Sequence, residues 1–230
     1  MARETGQLKA AVFGPTGLIG TGVAHAWLDD PRVAEVRAVS RRPLPYSAPG
    51  LRPVECRDFL DLSTLHESLE GVDAVCYCLG RSSSEVRDPA EYRRMTYDFA
   101  LAAGRAVLVA SPNATFHFVS GSGTSLESRM NWARVKAETE QALRELGLDG
   151  CVCWRPAGVL HEVKPDRMTT YHRMGAAIGA LLSGFRSLTV GNRAIGEAML
   201  QATLDERREG VIENREIRDL ANRYRARSRD

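Results

Sequence analysis

Three glycines at three-residue spacing, Gly14, Gly17 and Gly20, stand between an apolar run, Leu8 to Phe13, and a segment of helical pattern, Thr21 to Leu28. Such a turn lets the chain bend sharply. It also lets backbone N–H groups at a helix start approach a pyrophosphate, whose charge they favour. Glycine turns serve plain strand-to-helix packing as well, and the flanking strand and helix are what point to a dinucleotide here. A second set of groups follows the next apolar run, Val33 to Val39, where a chain selecting NAD places a carboxylate for the ribose 2′-hydroxyl. This chain has Ser40, Arg41 and Arg42 instead, followed by Pro43. Planar guanidiniums bond phosphate oxygens in pairs, so the position predicts NADP(H), with the bland alternative a solvated arginine pair in a loop.

The elements that must hold these groups alternate. Strands are expected at Leu8 to Phe13, Val33 to Val39, Val54 to Cys56, Ala74 to Leu79, Thr115 to Val119 and Gly150 to Arg155. Helices are expected at Ser63 to Leu69, Pro89 to Val109 and Asn131 to Leu146, the last ending at Gly147. The pattern predicts an α/β doubly wound parallel sheet, a Rossmann fold, with one domain over 1–230. Beyond Pro156 the rhythm changes: an apolar stretch from Met168 to Phe185, a helix at Arg193 to Leu204, a short strand at Gly210 to Glu213 and a helix at Ile217 to Tyr224. Residues 157–230 are expected to supply small substrate-side elements, because ligands lie outside the carboxyl ends of such strands.

A chain of 230 residues with 43% apolar residues can bury one substantial core. The formal net charge of +2 is too mild for a nucleic-acid surface, although Arg218, Arg223, Arg225, Arg227 and Arg229 make the last helix locally basic. No run of about eighteen apolar residues exists, and Met1 to Gln7 lack the apolar stretch of a signal peptide, so a cytoplasmic protein without a membrane role is expected. Cys56, Cys76, Cys78, Cys151 and Cys153 fall in or beside strands and read as inert core thiols, with no metal-ligand spacing around them.

The order of motifs resembles the atypical extended short-chain dehydrogenase/reductase superfamily, most closely its Tat-interacting branch. The likeness rests on Gly14-xx-Gly17-xx-Gly20, Ser40-Arg41-Arg42-Pro43, Cys76-Tyr77-Cys78-Leu79-Gly80, Ser120-Gly121-Ser122, Val135-Lys136-Ala137-Glu138, Arg155-Pro156-Ala157-Gly158-Val159-Leu160 and Ile212-Glu213-Asn214-Arg215-Glu216-Ile217. The resemblance implies Gly14, Thr16, Gly17, Leu18, Ile19 and Gly20 around the pyrophosphate, and Ser40, Arg41 and Arg42 on the 2′-phosphate. It implies Asp58 and Phe59 beside the adenine, and Leu79 and Gly80 beneath the ribose. Lys136 would hold the nicotinamide ribose, and Pro156 to Val159 would border the carboxamide. Ser122 would orient a carbonyl oxygen.

The superfamily's reductases place a Tyr four residues before the Lys, so that the ammonium lowers the phenol's pKa for proton transfer. Here that position is Trp132, whose indole N–H donates a hydrogen bond but does not ionise usefully. Tyr77, Tyr171 and His161 are alternative proton donors, each more simply read as core, helix or loop. Arg81 and Ser82 to Ser84 form a polar loop on the expected substrate rim. The sequence therefore points to an NADP(H)-binding protein that is either an NADPH-dependent oxidoreductase acting on a carbonyl substrate or a catalytically silent module meeting a protein partner. Monomer and homodimer both remain open.

Overall fold

In the computed structural model, residues 7–164 and 188–228 are described. The centre is a seven-stranded parallel sheet in the order β3-β2-β1-β4-β5-β6-β9, formed by β1 Leu8–Phe13, β2 Val33–Ser40, β3 Leu51–Glu55, β4 Ala74–Tyr77, β5 Thr115–Val119, β6 Gly150–Arg155 and β9 Glu209–Glu213. β1, β4 and β5 sit in the interior of the sheet, and their apolar side chains are covered on both faces, as parallel strands require. Strand order reverses between β1 and β4, which opens a crevice at their carboxyl ends.

One face carries α1 Leu18–Leu28, α6 Asn192–Leu204 and α7 Asn214–Arg227, closing a core of Trp27, Met199, Leu200 and Ile212. The other carries α2 His66–Leu69, α4 Phe99–Ala110 and α5 Asn131–Glu145 over Phe13, Tyr77, Phe116 and Leu143. α1 and α6 cross with almost no gap. A Cβ on Gly22 would stand 2.3 Å from the Asn192 carbonyl carbon, and one on Gly196 would stand 2.6 Å from Val23 Cα. Trp27 and Trp154 are both fully buried, the first donating its indole N–H to Gly196 O and the second to Nδ1 of the buried His117. The cysteines are free; Cys78 is partly buried and the other four are buried.

Two expectations of the sequence shift, and one pairing outside them appears. The segment read as one helix from Pro89 to Val109 is α3 Pro89–Arg93, a π-helical turn Arg94–Asp98 and α4. β3 starts at Leu51, before its Pro53, which has no N–H to donate and which an edge strand tolerates because its outward-facing positions have no partner strand. The pairing of β7 Gly158–Leu160 with β8 Thr189–Gly191 joins segments too short and too distant for periodicity to show. The apolar stretch Met168 to Phe185, with Tyr171, lies outside the described residues.

Two buried polar residues hold the α1 side together. Asn192, fully buried, donates to Leu18 O and Val163 O while its Oδ1 accepts from the N–H groups of Glu162, Val163 and Arg193. Asp30, 3% exposed, accepts from Arg32 Nε and Nη2 at 2.9 and 2.6 Å and from the Tyr224 hydroxyl at 2.8 Å, tying the end of α1 to α7. Three arginines of α7 form ion pairs while staying partly exposed: Arg223 and Arg227 with Asp205, Arg225 with Glu197 and Glu162.

Burial pushes the Asp30 carboxyl up, but its hydrogen bonds to Arg32 and Tyr224 outweigh that and hold its pKa below the usual value. A carboxyl depressed in the folded state stabilises fully above its unfolded pKa of about 3.9 and loses that contribution as pH falls through the lower folded value. Urea unfolding between pH 6 and pH 2 should show stability falling below about pH 4, and Asp30→Asn should flatten part of that fall while lowering stability at pH 6 by about 2 kcal/mol. An Asp30→Asn variant with the native pH profile would show that this carboxyl is not the group responsible.

Candidate functional site

The glycine turn closes as the sequence predicts. Gly14 takes φ of +75°, its N–H donates to Val39 O at 3.1 Å, and its carbonyl accepts from Gly17 N at 3.1 Å. A Cβ on Gly20 would lie 2.0 Å from Gly14 O, so only glycine lets α1 start this close beneath β1. A Cβ on Gly17 would make no worse than ordinary contact, at 3.4 Å from Gly14 O. Gly20 thus serves the fold, whereas Gly17 faces the crevice. No side chain caps α1 at Gly17, which leaves the first-turn N–H groups to a ligand or solvent.

The crevice has two halves that meet at Leu79. One, about 280 Å³, is lined by Gly14, Thr16, Ser40, Arg41, Arg42 and Phe59, with Pro43, Pro45 and Leu79 completing it. Ser40 is buried at the end of β2, and its hydroxyl donates to Arg42 O at 2.7 Å, which folds the arginine loop over the cavity. The other half, about 320 Å³, is lined by Gly17, Leu18, Ile19, Leu79, Gly80 and Lys136, with Ser120 and Arg81 on its far wall. A cavity of about 430 Å³ continues from it past Ser82, Ser83 and Ser84 to Tyr92, Trp132 and Lys136. On the other flank, Arg41 and Phe59 also border a space of about 390 Å³ with Arg57, Asp58 and Arg94.

Most of the residues singled out in the sequence therefore line one groove along the carboxyl edge of the sheet. Asp58 stands at its flank, where Oδ1 accepts from Leu60 N at 2.9 Å and makes a local turn. Ser122 is exposed and borders none of these cavities; its N–H donates to Pro156 O. Pro156 and Val159 border none of them either. Ser120, two residues earlier, is the serine on the groove wall, with its hydroxyl on Thr124 Oγ1 at 3.0 Å. Tyr77 is buried among Phe13, Phe116 and Phe118, as its core reading requires.

Lys136 sits on α5 with Nζ donating to Val119 O at 3.2 Å and Ser120 O at 3.1 Å. Burial lowers its pKa to about 8, against the opposite pull of the Glu140 carboxylate one turn on. Glu140, 1% exposed, is held by Arg155 through two bonds of 2.9 and 2.7 Å. The same guanidinium reaches Glu213 at 3.2 Å, so α5, β6 and β9 share one ion-pair network behind the lysine. Trp132 packs with Tyr92 and Val135 in a small separate cluster at the groove's outer end.

Sequence reading missed Tyr92, Ser120, Glu140 and Asn192. Glu140 alone carried a local signal, being one helical turn after Lys136; the others depend on contacts between distant segments.

No family model matches the chain. It is 26% identical over 159 residues, 68% of its length and 69% of the relative's, to Protein fmp52-2, mitochondrial, of Aspergillus oryzae. It is 25% identical over 154 residues, 66% of each chain, to Protein FMP52, mitochondrial, of Chaetomium globosum. Among solved structures, the Bordetella bronchiseptica enzyme WbmF in complex with NAD+ superposes with a TM-score of 0.68 at 14% identity, over 96% of this chain and 78% of that one. MoeE5 in complex with UDP-glucose and NAD gives 0.65 at 18% identity, over 89% and 75%. The Helicobacter pylori ADP-L-glycero-D-manno-heptose-6-epimerase gives 0.68 at 13%, over 93% and 78%. The likeness to these structures shows the fold, a Rossmann-type doubly wound parallel sheet. At 13 to 18% identity these likenesses show the fold alone, and the Tat-interacting branch is not confirmed by them.

The cytoplasmic expectation is corrected by these comparisons, since the fungal relatives are named mitochondrial. That expectation rested on the absence of an apolar stretch at Met1 to Gln7, a feature with no bearing on mitochondrial transit peptides, which are amphipathic rather than apolar. Among the described residues no helix is long and apolar enough to cross a membrane, and no group of three metal-ligating side chains occurs.

Removing one partner of the Glu140–Arg155 pair leaves a desolvated charge behind α5. Glu140→Ala should lower unfolding free energy by about 3 kcal/mol in urea titration. A loss below about 0.5 kcal/mol would show the pair to be equivalent to a surface one.

Proposed function

We propose that this chain binds NADP(H) across the groove and acts as a reductase of the short-chain type on a carbonyl substrate. The observation that carries the cofactor reading is the cavity bounded by Gly14, Thr16, Ser40, Arg41 and Arg42 at the carboxyl end of β2. A dinucleotide fits the chemistry of that donor set. The open face at Gly17 admits the pyrophosphate to the first turn of α1, and the arginine loop meets a 2′-phosphate. Two of the superposed proteins are solved with NAD. The arginine pair is the ground for preferring the phosphorylated cofactor here.

In this reading Phe59 and Asp58 flank the adenine, Leu79 and Gly80 run under the ribose, and Lys136 holds the nicotinamide end. The bound cofactor supplies hydride. The chain supplies binding, orientation and a wall of Arg81, Ser82 and Trp132 against which the substrate lies. One observation favours a second reading, a silent NADPH-binding module for a protein partner: Trp132, facing the same cavity as Lys136, offers no ionisable hydrogen.

Two measurements test this. Replacing Arg41 and Arg42 together by Ala should weaken NADPH binding by about 100-fold and NADH binding by less than about threefold, read by quenching of protein fluorescence. Equal losses for both would remove the 2′-phosphate assignment. NADPH oxidation over a panel of aldehydes and ketones should be seen with the native protein. Turnover only in Trp132→Tyr would favour the silent module.

A further inference from the structure

An ammonium has three protons to donate, and the structure accounts for two of those on Lys136. Val119 O and Ser120 O, at 3.2 and 3.1 Å, both belong to the end of β5 and lie on one side of Nζ. The same residue is where the two substrate-side cavities join, one of about 320 Å³ toward Gly17 and Gly80, the other of about 430 Å³ toward Trp132. The ring of Phe118, centred 5.7 Å from Nζ, forms part of its apolar surroundings.

The other groups that face this point from each neighbouring element are poorer proton donors. Glu140, on the same helix, has both oxygens on Arg155. Arg81, from the loop after β4, is a guanidinium that does not deprotonate in proteins. Glu85, from the same loop, accepts from Ser82 N. Tyr92, on α3, is hydrogen-bonded to Thr96, and burial raises its pKa. Trp132 does not ionise.

We infer that Lys136 Nζ is the proton donor of the groove, protonating the substrate oxygen as the carbonyl carbon receives hydride. The inference rests on the reductase reading above. The balance is complete: bound NADPH would supply hydride, with its electron pair, to the carbonyl carbon. The C=O π pair moves to oxygen, which takes one proton from Nζ. The products are an alcohol, NADP+ and a neutral amine, which water in the groove reprotonates. A lysine brought down to about 8 is matched to this task near neutral pH, where an unperturbed one is too basic to give up its proton readily.

The sign of the pH dependence follows. Reduction needs the protonated amine and oxidation of the product alcohol needs the neutral one. With the native protein, kcat for carbonyl reduction at saturating NADPH should be level below about pH 8 and fall about tenfold per pH unit above it. Alcohol oxidation with NADP+ should rise through the same midpoint, a mirrored pair that loss of structure at high pH would not produce. Lys136→Arg keeps charge and hydrogen-bond donors but cannot release a proton. It should lower kcat by about 100-fold or more, a larger factor than the loss of NADPH affinity, read by fluorescence, that follows from Lys136 also holding the nicotinamide end. Overturning results are profiles flat to pH 9.5, retained kcat in Lys136→Arg, or no native turnover across the panel. NADPH affinity is measured in every case, so failure of the proton-donor role with binding intact is distinguishable from failure of the cofactor reading, in which NADPH does not bind.

Discussion

The distance between Gly20 and the Gly14 carbonyl is the constraint on which the molecule turns. With a Cβ at Gly20 the two would stand 2.0 Å apart, so α1 could not begin where it does. Gly14 makes room on its other side in the same way: a Cβ there would stand 3.0 Å from Leu79 Cα, so glycine lets Leu79 pass over it. That crossing divides the crevice into a half beside the arginine loop and a half beside Lys136. Further along, α1 lies close against α6, where Gly22 and Gly196 remove the side chains that would hold the helices apart.

Around that frame, buried polar groups fix what apolar packing alone would leave loose. Hydrophobic contact is non-directional, whereas each buried donor or acceptor must find a partner in a particular place. Asp30 joins the end of α1 to α7, and Glu140 with Arg155 joins α5 to the sheet behind Lys136. The lysine is thus supported from behind by an ion pair and from one side by two carbonyls, with the groove on the side left over.

The sequence carried the fold almost whole, because its signals are local. Apolar runs of strand length, glycines at a fixed spacing and Pro156 after β6 each act over a few residues. Ser40, Arg41 and Arg42 were legible as a group because the turn that presents them follows its strand directly. What stayed hidden depends on separation along the chain. Tyr92 meets Trp132 through the packing of α3 on α5, and β7 meets β8 across many intervening residues. The π-helical turn at Arg94–Asp98 was invisible for another reason: its residues have ordinary helical composition, and only the hydrogen-bond register departs from the α pattern.

Asn192 has a mechanical consequence. Its one side chain grips Leu18 O at the start of α1, the backbone of Glu162 and Val163, and the first turn of α6. Opening a hinge between the strand-turn-helix unit and the segment after β7 would break either its bond to Leu18 O or its three bonds to Glu162 and Val163, inside a fully buried site. The start of α1 is riveted to α6 and to the segment after β7, and the three turn as one body. Leu18 and Ile19, which line the groove, are thereby held from behind, so a ligand meets this wall already in place.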